Sequence, residues 1–257
     1  MRTWIEPFVQ TFANTKTRKT YANVLNSYFK SVNVDEISPS CIQDFVQNEL
    51  KKNIRSHVLS HKLSILRRFC LFLEYNHVID HNPVPKILLP KHPVPAKTYL
   101  SLEKLQYIFH EGFPNTPMGW RNQAIFSMLY FGGAKIGEIL GITLEDVLLE
   151  DQSIRIDTRI VKIEDAGWKC IIDYVQKGRN FFCKPDKETT LVFLSNRGTR
   201  LSREQIWRVL KKVDSSLTPE YLRRSFAFHS LQKGMDIQTL QKQLGYSSID
   251  SMNYLIE

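Results

Sequence analysis

Cysteine is sparse and scattered in this sequence: Cys41, Cys70, Cys170 and Cys183 are the four it has. None stands in a C-x-x-C pair, so neither a zinc site nor a disulfide framework is expected. They read as packing residues of a chain kept in a reducing compartment. Long apolar runs are missing too. No stretch approaches the roughly 20 residues that cross a bilayer, and the opening MRTWIEPFVQTF has neither the apolar core nor the small-residue cleavage site of a secretion signal. A soluble chain without a membrane partner is expected, cytoplasmic in a bacterium-like cell or nuclear in another. Acidic residues are outnumbered: 26 Asp and Glu against 35 Lys and Arg leave a net charge of +9. A balance of that size favours polyanionic partners.

At 257 residues the chain exceeds the usual single domain, and two domains are the natural reading. Proline shows where they divide. Five of the 11 prolines fall in NPVPKILLPKHPVPAK, where fixed φ angles and missing donors exclude a helix and predict an extended linker over 83–97. Upstream, Tyr21, Val24, Leu25, Tyr28 and Phe29 keep the spacing of an amphipathic helix. Ser38 followed by Pro39 predicts an N-cap and first turn for a second helix burying Ile42, Phe45 and Val46. Leu59, Leu63, Leu66, Cys70 and Leu73 give a third apolar stripe. Residues 1–82 thus read as an α-helical bundle. Its cations cluster, with Lys16, Arg18 and Lys19 in one group and Lys51, Lys52, Arg55, Lys62, Arg67 and Arg68 around another helix. Clustering of this kind predicts a phosphate-facing side that binds double-stranded DNA.

Residues 98–257 have a different texture. Helical patterns cover Leu102 to Phe109 and Asn122 to Phe131. β-prone runs follow at Val147–Leu149, Ser153–Thr158, Trp168–Asp173 and Thr190–Leu194. With no βαβ alternation, a mainly α, α+β domain carrying a small antiparallel sheet fits best. Helices then resume, Ser202 with Gln205 forming a capping box and Thr218–Pro219 opening another helix. Gly234 and Gly245 read as helix-ending residues.

Three stretches of this region carry chemistry: FGGAKIGEILGITLEDV, NRGTRLSREQIWRVLKK and LRRSFAFHSLQKGMDIQTLQKQLGYSSID. In this order and spacing they resemble the tyrosine recombinase (phage integrase) family in its compact, Xer-like form. The part before the linker resembles that family's core-binding domain. The resemblance implies a phosphoryl transfer without metal, cofactor or ATP. A tyrosine attacks a DNA phosphate, leaving a 3′-phosphotyrosyl link and a 5′-hydroxyl. It also implies a catalytic set, carried over here residue by residue. Arg223 matches an active-site arginine whose planar fork can grip a phosphate. Lys135 stands where the first box has an arginine. Glu220 stands where a histidine is usual, and Tyr246 replaces histidine in the LGY triplet. His229, further along the helix of Arg223, reads as structural. The family's lysine comes from a turn between two strands, here within RIDTRIVKIEDAGWKC, with Lys162 the first choice and Arg159 the second. Tyr254 is the candidate nucleophile, one residue nearer the LGY triplet than the family pattern, which on a helix is a rotation of about 100°. Glu220 would repel a phosphate unless a cation, Lys135 or Arg224, stands beside it; Arg224 is also a candidate DNA contact. Two readings follow, a site-specific recombinase acting with a partner or by self-association on DNA, or a catalytically inactive accessory or regulatory protein of the same fold. A plain helix-turn-helix repressor explains only 236–255.

Overall fold

The computed structural model describes residues 1–33, 35–84, 98–249 and 252. It divides into two compact units, Met1–Pro95 and Ala96–Glu257. Of the expected linker, 85–97 lie outside the described residues, as does Tyr254.

The first unit is helical: α1 (Ile5–Gln10), α2 (Thr15–Val32), α3 (Pro39–Lys51) and α4 (Ser56–Tyr75). Each start has a local cause. The Asn14 side chain accepts from the Lys16 and Thr17 amides at 2.9 and 3.2 Å, and Ser38 accepts from the Cys41 amide with Pro39 in the first turn. Asn33, in the left-handed region at φ 53°, ends α2. The apolar stripes read from the sequence meet in one core, in which Leu25, Tyr28 and Phe29 pack with Ile42, Phe45, Leu59, Leu66, Phe69 and Leu73. Burying each such side chain contributes about 1.5–3 kcal/mol, so truncating Phe69 to alanine is expected to cost about 3–5 kcal/mol.

In the second unit, α5 (Leu102–Glu111) precedes α6 (Pro117–Tyr130), whose 124–130 are buried on every side. A helix apolar all round belongs at the centre of a fold. The one-turn α7 (Ile136–Ile139) leads to an antiparallel sheet of β1 (Val147–Leu148), β2 (Ser153–Ile156) and β3 (Arg159–Lys162), ordered β1-β2-β3. The β2–β3 register pairs Ile156 with Arg159 across a tight turn in which Asp157 has φ 51°. Then come α8 (Asp165–Asp173), α9 (Arg203–Val213), α10 (Pro219–Gln232) and α11 (Ile237–Leu244). The Ser202–Gln205 capping box and the Thr218 cap are both formed. Gly234 and Gly245 follow their helices at φ 88° and 68°.

Two strand expectations are corrected. Trp168–Asp173 lies in α8, where Trp168 and Ile171, three apart, face the core together. Thr190–Leu194 forms no ladder; single bridges tie Leu191 to Thr143 and Leu194 to Arg200.

Candidate active site

Arg223 on α10 is 2% exposed. Its Nη1 donates to the Gly133 carbonyl and its Nη2 to the Leu244 carbonyl at 2.6 Å, while Nε, equally buried, has no partner. Neutral oxygens orient this guanidinium without cancelling its charge. Gly133 makes the arrangement possible: at φ 55° a side chain there would be strained, and a Cβ would lie 2.6 Å from Leu244 and 2.7 Å from Phe226. Only glycine lets that carbonyl approach.

The Tyr246 ring joins the cations. Arg223 Cζ stands 4.9 Å from its centroid and Lys135 Nζ 5.6 Å, both within cation–π reach. Lys135 is the N-cap of α7, its amide donating to Glu138 at 2.7 Å and its ammonium 3.7 Å from the same carboxylate. Arg159 arrives from β3. Its Nη2 donates to Glu138 Oε2 at 2.8 Å and its Nε to the Gln243 carbonyl at 3.0 Å. Gly245 keeps room for it, since a Cβ there would meet the Arg159 guanidinium at 2.6 Å. Burial pushes the Glu138 carboxyl up, but the Arg159 hydrogen bond, the Lys135 amide and both charges outweigh it and hold the group below its ordinary value.

Arg223, Lys135, Tyr246, Arg159 and Glu138 are therefore linked. Of the two hairpin candidates, Arg159 and Lys162, the linked one is Arg159. Strand alternation puts Arg159 on the face of the buried Val161, and Lys162 on the face of Ile160, which is 58% exposed. Lys162 is itself exposed, and its carbonyl accepts from Gln243 Nε2 of α11 at 3.1 Å. Glu138 was not singled out in the sequence; its signal was a glutamate three residues after Lys135, within reach of that residue's amide.

The expectation that Glu220 is tied to Lys135 or Arg224 is not met. Glu220 is exposed on the first turn of α10, and among the described residues Lys135 pairs with Glu138 instead. A solvated carboxylate at a helix N-terminus is already favoured by the helix dipole and needs no counter-cation. Arg224 is half-buried with an unpartnered Nε. His229 lies in the core, its Nδ1 2.7 Å from the Tyr130 hydroxyl. Burial and the Lys233 charge lower its pKa.

The model of the phage integrase family matches residues 99–255. The chain belongs to that family. Tyrosine recombinase XerC of Oceanobacillus iheyensis is 30% identical over 93% of this chain and 84% of its own length. A putative tyrosine recombinase of Caldanaerobacter subterraneus subsp. tengcongensis is 28% identical over 90% of this chain and 86% of its own. Among solved structures, the Tn1549 transposon integrase in complex with circular intermediate DNA matches the fold with TM-score 0.80 at 16% identity, over 99% of this chain and 94% of that one. No helix among the described residues is long and apolar enough to cross a membrane.

In this integrase-family chain the clustered cations of the first unit are not equivalent. Lys16 and Lys19 on α2, Lys51 on α3 and Arg55 ahead of α4 are exposed. Arg18 donates to the Phe12 carbonyl at 2.5 Å and to Gln10 at 2.6 Å, fastening the end of α1. Lys62 and Lys52 close on Glu49, which is 1% exposed. Arg68 lies over Phe12 and Tyr21 and donates to the Tyr21 hydroxyl at 3.1 Å. Arg67, half-buried, also has an interaction within the chain.

Proposed function

We propose that this chain binds double-stranded DNA and carries out site-specific strand cleavage and rejoining through a phosphotyrosyl intermediate. The observation that carries the reading is Arg223, a buried guanidinium whose hydrogen bonds go to neutral carbonyls, which lies over the Tyr246 ring and leaves its buried Nε without a partner. A charge so placed invites an anion. The Tyr254 oxygen would bond to phosphorus as the P–O5′ bond breaks; its phenolic proton leaves to solvent, and the departing 5′-oxygen takes up a proton. Since the covalent link retains the bond energy, a 5′-hydroxyl can reverse the step without ATP.

Roles follow from donor chemistry. Arg223 and Arg159 supply fixed charge and N–H groups to the non-bridging oxygens, and the Tyr246 hydroxyl can add another donor. Arginine keeps its protons at any physiological pH, whereas an ammonium can give one up. Lys135 is thus the better proton donor to the leaving oxygen. Residues 1–82 would serve as the core-binding domain, with Lys16, Lys19 and Arg55 on backbone phosphates, and 98–257 as the catalytic-type domain of a cytoplasmic protein. A partner recombinase, or a second copy on DNA, completes the assembly.

One observation favours the second reading, a DNA-binding accessory protein: Glu220 is exposed on the first turn of α10, the helix of Arg223, and pairs with no cation among the described residues, so its negative charge opposes a phosphate. Nicked suicide substrates separate the two. Salt-sensitive binding with a small covalent adduct that Tyr254→Phe removes is the expected result, and an adduct that grows on adding a related recombinase fits it equally. Binding with no adduct at any protein concentration, alone or with that partner, assigns the accessory role. Absence of DNA binding overturns both.

A further inference from the structure

A second basic site lies in the same unit and shares no lining residue with the Arg223 cluster. It is a cavity of about 690 Å³ whose lining includes Arg121, Arg197, Arg200, Arg208 and Lys212, and among the described residues no Asp or Glu lines it.

Its base is Arg121, 5% exposed on α6. That guanidinium donates to the Leu194 carbonyl at 2.8 Å and the Asn196 side chain at 3.0 Å, makes longer contacts of 3.4 Å to Asn122, and stacks 4.5 Å from the Phe182 ring. Every acceptor is neutral. Burial lowers its pKa, the direction expected of a cation taken out of water without an anion. The rim is built, too. Ser195 Oγ accepts from the Arg197 and Thr199 amides, both at 3.3 Å, and the Ser195 amide donates to the Thr199 carbonyl at 2.7 Å. With Gly198 at φ 70°, this tight loop presents Arg197 and Arg200, the latter anchored at 2.9 Å on the Leu140 carbonyl. Opposite them, Arg208 and Lys212 are four residues apart on α9 and share one helix face.

Arg200 also borders a neighbouring cleft lined by Glu138, Asp146 and Asp157; Arg121, Arg197, Arg208 and Lys212 line the cavity with no carboxylate among its described lining residues, and a polyanion relieves their mutual repulsion. We infer that this cavity is a second phosphate site, occupied by backbone phosphates of DNA other than the one held at Arg223. The assignment of DNA as occupant rests on the DNA-binding reading above. The phosphate chemistry stands on the cavity alone.

The test uses the full chain with Arg208→Gln and Lys212→Gln combined. Both are exposed positions on α9, and glutamine keeps helix propensity close to that of the residues it replaces; circular dichroism and the melting temperature check that the fold is kept. Duplex affinity is measured across salt, and inorganic tripolyphosphate binding by calorimetry. Loss of two phosphate contacts makes the slope of log affinity against log salt shallower by about 1.8 and weakens binding by roughly tenfold or more near 0.1 M salt. Tripolyphosphate should bind the parent chain and compete with DNA, and the variant should lose it. The inference is overturned if the variant binds both ligands as the parent does. It is overturned as to occupant, in favour of a free polyphosphate, if only tripolyphosphate binding is lost. If the parent chain binds no DNA yet takes tripolyphosphate at this site, the DNA reading fails while the phosphate site stands.

Discussion

Replacing Glu138 by glutamine should lower stability and raise DNA affinity at once. The side chains of Glu138 and Arg159 are 10% and 16% exposed and meet at 2.8 Å, with Lys135 3.7 Å from the other carboxylate oxygen. Removing one partner of a buried pair typically costs about 3–5 kcal/mol because the other charge stays behind. Here Arg159 keeps the Gln243 carbonyl and Lys135 is half in water, so about 2–3 kcal/mol is the expected loss. In a unit of roughly 160 residues that lowers the melting temperature by about 4–12 °C.

The pH dependence follows from the direction of the Glu138 shift. Its folded pKa lies below the ordinary 4.5, so its stabilising effect is complete above that value and fades as pH falls through the folded pKa. Parent and variant should differ fully at pH 7 and converge as pH falls through that lowered pKa. Urea denaturation at neutral pH and in acid, repeated in an Arg159→Gln background, reads the coupling directly. Binding to duplex DNA should tighten, because two cations lose their shared anion and the net charge rises by one. A stability difference below about 0.5 kcal/mol, or one equal at the two pH values, would refute the idea that Glu138 holds both cations.

Other outcomes follow from the same geometry. Arg223→Ala should abolish any adduct and weaken DNA binding, read by gel shift and suicide-substrate trapping. Arg223→Lys should restore little, because an ammonium cannot span the Gly133 and Leu244 carbonyls as the fork does. Arg159→Ala should reduce adduct formation by about 10²-fold or more while Lys162→Ala stays within a few-fold; equal effects would remove Arg159 from its assigned role. Glu220→His should raise adduct yield, and an unchanged yield would show that position 220 does not limit cleavage.

How far the sequence disclosed this architecture depended on the kind of signal. The helices of the first unit were legible because Leu25, Tyr28, Phe29 and their counterparts on α3 and α4 repeat at helical spacing and are buried together. Caps at Ser38, Ser202 and Thr218 were legible because their hydrogen bonds are local. Trp168–Asp173 was misread because a short apolar run satisfies strand and helix alike, and packing decides between them. Arg223, Lys135 and Tyr246 were found through motif resemblance, and folding gathers them around one ring. The choice between Lys162 and Arg159 depended on hairpin register, where a shift of one residue turns every side chain to the other face. No local pattern in RIDTRIVK shows that Ile156 pairs with Arg159.

That register changes how the substitutions at the site are weighed. Taken singly, lysine in place of the first-box arginine is a loss of a guanidinium fork. Taken with Arg159 it is an exchange. The family pattern leads to an arginine at 135 and a lysine from the hairpin, whereas this chain has the ammonium on α7 and the fork on β3, both closed on Glu138. The number of cations on Glu138 expected from that pattern is kept, and so is the variety of donors: one forked group with permanent charge and one group able to release a proton. Under the proposed roles, what moves is the position of the releasable proton, from the hairpin to the N-cap of α7. The substitution that remains uncompensated is then Glu220, whose exposed carboxylate pairs with no cation among the described residues. Weak autonomous cleavage should accordingly trace to position 220 more than to position 135, and the two single variants, Glu220→His and Lys135→Arg, separate these contributions. The first alone should raise the adduct. The second alone should leave it unchanged or lower it, since arginine at 135 would place two forks on Glu138 and leave no proton donor.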